Sequence, residues 1–352
     1  MRLSDDPHAP ADGSSARPED ASSSEPKMRA FAAGPNGVHV LDLEAAAQRV
    51  SARLAGEAGK GEGVVWIDLL RPGEPEGDFL RTRLGLHPLA VEDCLRGRQR
   101  PKLDPYPAYL FVVCYSAHLN PARQRVAFNE LHLFVGEGFL VTVRFHRSDE
   151  LRETLARWRA LPDRLPTAGA LAHALLDSVV DGYFPILDHL SERADAVETQ
   201  MFEDRHEGMQ QILDLRRELV LFRRIVAPER DLLGTLLRRE LPVVGPELVP
   251  YFQDVRDHTM RITEEIDMLR DLLAATMEGQ LSAASNQLNV TVRMLTAWSI
   301  ILMSMTVVAG VYGMNFVAMP ELGWRYGYAF ALALMLGIGA GVFWFFRRRR
   351  WI

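Results

Sequence analysis

The chain has 352 residues, of which 48% are hydrophobic and 24% are charged, and its net charge at pH 7 is −6. The charge is unevenly divided, because residues 294–352 carry five arginines against one glutamate and residues 1–293 therefore hold a net charge of −10. An acidic body repels phosphates, which argues against nucleic acid as a partner. The two cysteines, Cys94 and Cys114, cannot build a disulfide framework.

The first 147 residues divide into a tail and a mixed α/β segment. Residues 1–36 are predicted to be a disordered N-terminal tail, because residues 1–30 are rich in Ser, Ala, Pro and acidic residues. Residues 37–147 are predicted to form an α/β cytoplasmic domain with short β-rich runs. These runs occupy residues 38–43, 64–70, 109–117, 129–135 and 139–145. Gly136 and Gly138 separate the last two runs, which predicts a hairpin.

The pattern then becomes helical. Residues 148–243 are predicted to form a cytoplasmic helical bundle, because leucines recur three and four positions apart among dense opposite charges. Pro185 and Pro228 are expected to kink or separate helices.

A much longer helix follows. Apolar residues recur at three-four spacing after Pro250 and run into an uncharged stretch without a stop signal. The sequence therefore predicts one helix from about 247 to 312, about 100 Å long at about 1.5 Å per residue. Its first part, residues 244–293, is predicted to be a stalk that packs against copies of itself.

Two uncharged stretches, residues 294–312 and 326–346, are each long enough to cross a hydrocarbon layer of about 30 Å. Four arginines open the basic C-terminal tail, residues 347–352, and the positive-inside rule places that tail in the cytoplasm. Two spans return the chain to its starting side, so residues 313–325 are predicted to form an outer loop. We therefore expect a multi-pass protein of the plasma (inner) membrane with both termini cytoplasmic.

The first predicted span carries a stripe of mostly small or polar residues. The stripe has the 3.5-residue period of a left-handed bundle around an axis, and it consists of Asn289, Val292, Thr296, Ser299, Met303, Thr306 and Gly310. One hairpin cannot enclose a pore, so a pore requires several chains. Alternatively, Ser and Thr in a span bond back to their own helix.

The end of this span carries a specific motif. Gly313, Met314 and Asn315 follow Tyr312, and Met319, Pro320, Glu321 and Leu322 come shortly after. In this two-span setting the motif resembles the signature of the CorA family of divalent-cation transporters. The resemblance covers nearly everything after residue 37, including the segments 87–93, 99–102, 183–185, 251–254, 285–289 and Trp351.

The motif suits a hydrated cation. Mg²⁺ sheds its waters reluctantly, and a ring of neutral Asn315 amides with Gly313 carbonyls can accept hydrogen bonds from those waters and still release the ion. The selectivity filter is therefore assigned to Gly313, Met314 and Asn315, and Glu321 is expected to concentrate cations at the mouth. Taken alone, Gly313 and Asn315 are equally explained as a helix C-cap.

The resemblance implies a homopentameric funnel in the membrane, built from an α+β cytoplasmic domain, a long stalk helix and a two-helix C-terminal transmembrane hairpin. It also implies a set of pore-lining residues, in which Leu295 replaces the Thr296 of our stripe: Asn289, Val292, Leu295, Ser299, Met303, Thr306 and Gly310. Rings of Leu295 and Met303 would form hydrophobic constrictions that gate by dewetting. A basic girdle around the inner pore mouth is implied for Arg347, Arg348, Arg349 and Arg350.

Regulation by cytoplasmic Mg²⁺ is implied as well, through Asp93 and Asp254 on neighbouring subunits with Glu92 as a helper. The alternative is that both aspartates are solvated surface charges. Two departures from the family pattern stand out. Val317 replaces an acidic residue that many relatives have, so the outer funnel is less negative, and Ser304 stands where a proline is common.

The sequence thus predicts a channel for hydrated divalent cations that mediates Mg²⁺ uptake down the electrochemical gradient, with Co²⁺ and Ni²⁺ as lesser substrates. Mg²⁺ is predicted to act both as the transported ion and as the regulator. A zinc carrier of the ZntB type is the alternative inside the class, although such relatives usually alter the position of Met314. A membrane-anchored coiled-coil scaffold is the alternative outside it. No motif supports an enzyme.

Overall fold

The computed structural model describes residues 25–35, 37–57, 63–120, 125–203, 205–238, 243–314, 319 and 323–351. The chain divides after Leu273 into two compact units. The first unit contains a sheet and seven α-helices in its described part, and the long helix continues from it into the second unit. Most of the predicted tail, residues 1–24, lies outside the described residues.

A mixed sheet of seven described strands forms the centre of the first unit. The strands are β1 (Met28–Gly34), β2 (Gly37–Leu41), β3 (Val65–Leu70), β4 (Lys102–Pro105), β5 (Tyr109–Asn120), β6 (Arg125–Gly136) and β7 (Phe139–Arg144). Their order is β2-β1-β3-β7-β6-β5-β4, and every neighbouring pair is antiparallel except β3 with β7. The predicted hairpin is confirmed: Gly136 pairs with Phe139 across a tight turn, in which Gly138 has a φ of +77°.

Strand β1 corrects the predicted tail boundary. Met28–Gly34 lies between β2 and β3 and pairs with both, and Phe31 is buried. Residue 36 was therefore too late a boundary, because ordered structure begins before it. The segment is rich in alanine, so its strand conformation comes from its two neighbours and not from local β-propensity.

The seven α-helices that lie wholly within the first unit cover the sheet and one another. They are α1 (Leu43–Leu54), α2 (Glu74–Asp78), α3 (Pro88–Arg96), α4 (Asp149–Ala160), α5 (Ala168–Asp181) and α6 (Tyr183–Glu203), and α7 (Arg205–Arg238) packs along α6. Pro185 lies in the first turn of α6, where a proline costs little. Pro228, however, lies inside α7, and the helix continues past it. Pro228 therefore does not separate two helices, while the kink expected as the alternative stays a prediction.

The long helix α8 spans Val249–Tyr312, 64 residues, which confirms the predicted single helix. At about 1.5 Å per residue it is about 96 Å long. Up to Leu273 it buries one apolar side, formed by Phe252, Val255, Ile262, Ile266, Leu269 and Leu273. Residues 281–296 are then exposed all around in the single chain.

The last helix, α9 (Gly327–Arg348), lies against the end of α8 within the second unit. A Cβ added to the buried Gly339 would lie 3.5 Å from the Met305 sulfur, so the glycine permits this close approach. The rings of Trp298 and Phe343 lie 6.3 Å apart between the two helices. The two helices of the predicted hairpin therefore contact each other at these two positions.

Three segments are long and apolar enough to cross a membrane: Ala168–Gln200, Pro246–Tyr312 and Gly327–Arg348. The first joins α5 and α6, and most of the apolar residues of α5 are buried in the first unit. The other two contain the spans predicted from the sequence, and they expose most of their apolar surface.

Candidate functional site

Helix α8 presents two different faces in the second unit. Ala297, Ile301 and Val308 form its buried side, and Ala297 is completely inaccessible. Leu295 and Met303, by contrast, are 68% and 67% exposed. At about 100° per residue, Met303 lies roughly 160° around the helix from Ile301. The predicted pore face therefore points away from the buried face.

All seven residues of the predicted pore set share this exposure in the single chain: Asn289, Val292, Leu295, Ser299, Met303, Thr306 and Gly310. A soluble protein rarely exposes a continuous apolar surface of this size, and such a surface marks contact with lipid or with other chains. The arrangement leaves the stripe available for other copies of α8.

The hydroxyl groups of the stripe bond back to their own helix. Ser299 donates to the carbonyl of Leu295 at 2.8 Å, and Thr306 donates to the carbonyl of Leu302 at 2.9 Å. The sequence analysis gave this bonding of Ser and Thr to their own helix as the alternative to a pore stripe. It fixes the hydroxyl protons inward, so the oxygen lone pairs remain as acceptors for the protons of water.

The signature motif begins at the end of α8. The Gly313 N–H donates to the carbonyl of Ala309 at 2.9 Å, and the Met314 N–H donates to the carbonyl of Val311 at 3.3 Å. A Cβ at position 313 would lie 3.1 Å from the Ala309 oxygen, which favours glycine there. These bonds close the last turn of α8, but Gly313 is not among the described glycines with a positive φ, so a left-handed C-cap does not form at this position. Asn315 and Glu321 lie outside the described residues.

Asp93 lies on α3 and is already paired within the chain. The ammonium of Lys102 lies 2.7 Å from Asp93 and 2.7 Å from Asp104. Partial burial works against the charge of Lys102, but its hydrogen bonds to Asp104 and Asp93 outweigh burial and raise the pKa of Lys102. A cation that binds Asp93 must compete with Lys102. Glu92, the predicted helper, pairs with Arg96 at 2.7 Å.

Asp254 lies on α8 and is exposed. The His258 Nε2 lies 4.0 Å from Asp254, and the Nδ1 of the same ring lies 3.7 Å from Asp181. Near them, burial and the charge of Asp181 raise the pKa of Asp177. Sequence reasoning missed these α5 aspartates, although their four-residue spacing was visible. The described residues of the single chain hold no group of three or more metal-ligating side chains.

A buried acid was also missed. Glu229 on α7 lies 2.7 Å from the Tyr183 hydroxyl and accepts a hydrogen bond from the Tyr115 N–H at 2.8 Å. The Tyr183 hydroxyl also contacts the Tyr115 carbonyl, which can only accept. All these groups are satisfied when a protonated Glu229 donates to Tyr183. Burial raises the pKa of Glu229 to about 8. The hydrogen bonds that the ionised carboxylate accepts from the Tyr183 hydroxyl and the Tyr115 N–H lower this pKa but do not outweigh burial.

The basic tail ends α9. The guanidinium of Arg348 lies 5.5 Å from the centre of the Trp344 ring, and that of Arg349 lies 5.6 Å from the centre of the Phe345 ring. All four predicted girdle residues are exposed in the single chain: Arg347, Arg348, Arg349 and Arg350. Their charges remain available to anionic lipid or to neighbouring chains.

Comparison with known families decides the class. The family described as "CorA-like Mg2+ transporter protein" matches residues 61–348. The chain belongs to this family. The CorA resemblance drawn from the signature motif is thereby confirmed, and the protein is a divalent-cation transporter of the membrane and not an enzyme.

Individual CorA relatives agree with the assignment. The chain is 35% identical to the YfjQ protein of Bacillus subtilis over 265 residues, which is 75% of this chain and 82% of YfjQ. It is 32% identical to the cobalt/magnesium transport protein CorA of Thermotoga maritima over 272 residues, 76% of this chain and 77% of that protein. The complete structure of the CorA magnesium transporter of Methanocaldococcus jannaschii superposes with a TM-score of 0.78 at 21% identity, covering 94% of this chain and all of that one. The CorA fold predicted for this chain is therefore confirmed.

Proposed function

We propose that this CorA-family chain assembles as a homopentamer in which five α8 helices surround a pore for Mg²⁺. One observation carries the proposal: the stripe that includes Leu295, Ser299 and Met303 is exposed on the side of α8 away from its buried face. The exposed stalk residues 281–296 extend the same surface. Copies of α8 that meet along this stripe bury it and enclose an axis.

The pore is proposed to select ions at its outer end. Asn315 amides and Gly313 carbonyls accept hydrogen bonds from the water shell of the ion, and Met314 lies between them. Further along α8, the outward lone pairs of Ser299 and Thr306 accept in the same way. Glu321 is the acidic residue of the outer loop, and Val317 makes this mouth less negative than in many relatives.

Mg²⁺ is the proposed physiological ion, with Co²⁺ and Ni²⁺ carried less well. A filter that binds hydrated ions through neutral oxygens separates similar hexahydrates poorly. The ZntB-type alternative predicts that Zn²⁺ moves faster than Mg²⁺ through the same reconstituted protein. Retention of Met314 in the signature favours Mg²⁺.

Rings of Leu295 and Met303 are proposed to gate this pore, and cytoplasmic Mg²⁺ is proposed to close it. Once Lys102 is displaced from Asp93, the carboxylates of Asp93 and Asp254 from neighbouring subunits repel each other, and a divalent cation between them relieves the repulsion. Glu92 lies one residue from Asp93 and adds negative charge when its pair with Arg96 opens. Loss of the ion shifts the population of subunit arrangements towards the open state.

The protein is proposed to lie in the plasma (inner) membrane, with its first unit and both termini in the cytoplasm. Arg347, Arg348, Arg349 and Arg350 then form the basic girdle at the inner mouth, in agreement with the positive-inside rule.

Cysteine accessibility tests the pore assignment against the scaffold alternative. The natural Cys94 and Cys114 are buried, so a new cysteine is the one that reacts. We expect a charged, water-soluble thiol reagent to block Mg²⁺ flux through Ser299→Cys protein in liposomes. The control is Val311→Cys, which is also exposed but lies about 120° around α8 from Ser299. If the reagent modifies both variants equally and blocks Mg²⁺ flux through neither, a pore along the stripe is contradicted.

A further inference from the structure

The outer face of α9 is the side of this helix that lies away from α8, and Trp344 and Arg348 lie on it. Gly339 marks the opposite side, because it is buried where α9 approaches α8. At about 100° per residue, Trp344 and Arg348 lie roughly 140° and 180° around the helix from Gly339. Both are exposed in the single chain, and Trp344 is 61% exposed.

This outer face also points away from the proposed pore stripe. Ala297 and Ile301 are buried on α8 in a unit whose other described helix is α9, and the stripe with Ser299 and Met303 lies on the opposite side of α8. The order across the hairpin is therefore the stripe, α8, α9 and then the outer face. Arg348 is not directed towards the axis that the stripes of several chains would enclose.

Two arginines at this end of α9 rest on aromatic rings. The guanidinium of Arg348 lies 5.5 Å from the centre of the Trp344 ring, and that of Arg349 lies 5.6 Å from the centre of the Phe345 ring. Phe345 is 51% exposed, so both rings are open to their surroundings in the single chain. A guanidinium that stacks on a ring keeps its edge N–H groups free to bind a phosphate in pairs.

The end of α9 is closed by a Schellman motif, which fixes the turn that carries these arginines. Arg350 has a φ of +58°, its N–H donates to the carbonyl of Arg347 at 3.1 Å, and the Trp351 N–H donates to the carbonyl of Phe346 at 3.0 Å. The Trp351 ring stacks on the buried Phe346 ring with their centres 5.3 Å apart. The last turn is therefore held in place before any ligand arrives.

The charge at this end of the hairpin is strongly positive. Residues 322–352 contain no aspartate or glutamate. The contacts between the two helices make α9 antiparallel to α8, so its last turn lies beside the start of the first span, where Arg293 adds another positive charge. The preceding acid on α8, Glu278, is 15 residues from Arg293, about 22 Å along the helix. Within the second unit, the arginines have no carboxylate to neutralise them at this end.

We propose that the outer face of α9 is a binding site for an anionic phospholipid, whose phosphate is held by Arg348 and Arg349. The rings of Trp344 and Phe345 lie against the glycerol and the first acyl carbons of the same lipid. The two arginines then form the lipid side of the proposed girdle. The site rests on the proposed placement of α9 in the membrane and does not depend on the proposed pore or its ion.

Quenching of Trp344 fluorescence by brominated lipids tests the site in the full chain, reconstituted in bilayers of unbrominated phosphatidylcholine. The Trp344 signal is the difference between each protein and the same protein with Trp344→Phe. The probes are brominated phosphatidylglycerol, which is anionic, and brominated phosphatidylcholine with the same acyl chains, which has no net charge. We expect phosphatidylglycerol to quench Trp344 at the lower membrane fraction, and we expect Arg348→Gln to reduce this preference about fivefold.

Arg325→Gln is the matched control, because Arg325 also lies near an aromatic ring, 5.7 Å from the centre of Tyr326, but at the other end of α9. It removes the same charge and should keep the preference. Equal quenching by the two lipids would overturn the site, as would a preference that survives Arg348→Gln combined with Arg349→Gln or disappears in Arg325→Gln.

Two further outcomes would assign this face to another partner and overturn the lipid. Quenching by neither lipid would show that α9 does not present Trp344 to the bilayer, and loss of the preference in millimolar inorganic phosphate would show that the ligand is free phosphate. Ion flux is not measured, so a failure of the lipid site leaves the proposed channel untouched.

Discussion

Lys102 lies 2.7 Å from Asp93 and thus neutralises, within one chain, the carboxylate proposed to sense Mg²⁺. The same ammonium lies 2.7 Å from Asp104, so one lysine serves two acids. Any cation that reaches Asp93 exchanges places with Lys102. The lysine therefore sets the Mg²⁺ concentration at which the proposed sensor fills.

Replacing Lys102 with methionine should make the sensor respond at lower Mg²⁺. The variant keeps an apolar side chain and removes the competing charge. Mg²⁺ bound to the sensor should protect the chain from proteolysis, and we expect the Mg²⁺ concentration for half-maximal protection, the half-point, to fall roughly threefold to tenfold. Limited proteolysis of the full chain across a Mg²⁺ series measures that half-point. Arg83→Met, which breaks the exposed pair with Glu44, is the control for net charge. An unchanged half-point in Lys102→Met would remove Lys102 and Asp93 from the proposed sensor.

Glu229→Gln should reduce the loss of stability that the wild type shows as pH rises from about 4.5 to about 8. The pKa of Glu229 is about 8 in the fold and ordinary in the unfolded chain, so the folded state holds this proton more tightly. The stability linked to it is fully present below about pH 4.5 and is lost as pH rises to about 8, by up to about 1.4 kcal/mol per pH unit. Glutamine cannot ionise, and its amide can donate to Tyr183 as the protonated acid does.

Thermal melting of both proteins between pH 5 and pH 8.5 measures this difference. The Tm of the wild type should fall more steeply than that of Glu229→Gln. Glu218→Gln is the control on the same helix, because Glu218 is held by Arg193 at 2.9 and 3.0 Å and its loss should lower the Tm. Parallel curves for wild type and Glu229→Gln would show that Glu229 is not the titrating group.

Met303→Ser should increase Mg²⁺ leak when internal Mg²⁺ is high, because a small polar side chain lets water fill the proposed hydrophobic constriction. Fluorescent-indicator flux in liposomes loaded with Mg²⁺ measures the leak. Met305→Ser is the matched control: the Met305 sulfur packs near Gly339 of α9, away from the proposed axis. Leak from Met305→Ser but not from Met303→Ser would mean that the pore face was assigned to the wrong side of α8.

The sequence predicted the features that depend on local pattern. The Gly136–Gly138 hairpin and the single α8 helix follow from turn chemistry, periodicity and the absence of stop signals, and the structure has both. The CorA resemblance followed from a motif in its two-span setting, which the family comparison confirms.

Features that depend on distant partners were not predictable in this way. Strand β1 exists because β2 and β3 flank it, and α7 continues through Pro228 within its packed surroundings. Lys102 of β4 pairs with Asp93 of α3, and Glu229 of α7 is buried against Tyr115 of β5 and Tyr183 of α6. Each of these contacts joins elements that are separate in the sequence. A single sequence carries no periodic signal for such contacts, so only three-dimensional structure reveals them.

The central claim is that neutral Asn315 amides select hydrated Mg²⁺ in a pore of five α8 helices. Mg²⁺ flux into liposomes containing purified Asn315→Ala protein tests it most directly, with assembly checked by crosslinking. Asn286→Ala, an exposed amide on the stalk, is the control. We predict intact oligomers whose flux falls to that of protein-free liposomes, while Asn286→Ala conducts like the wild type. Normal flux through Asn315→Ala oligomers would contradict the account.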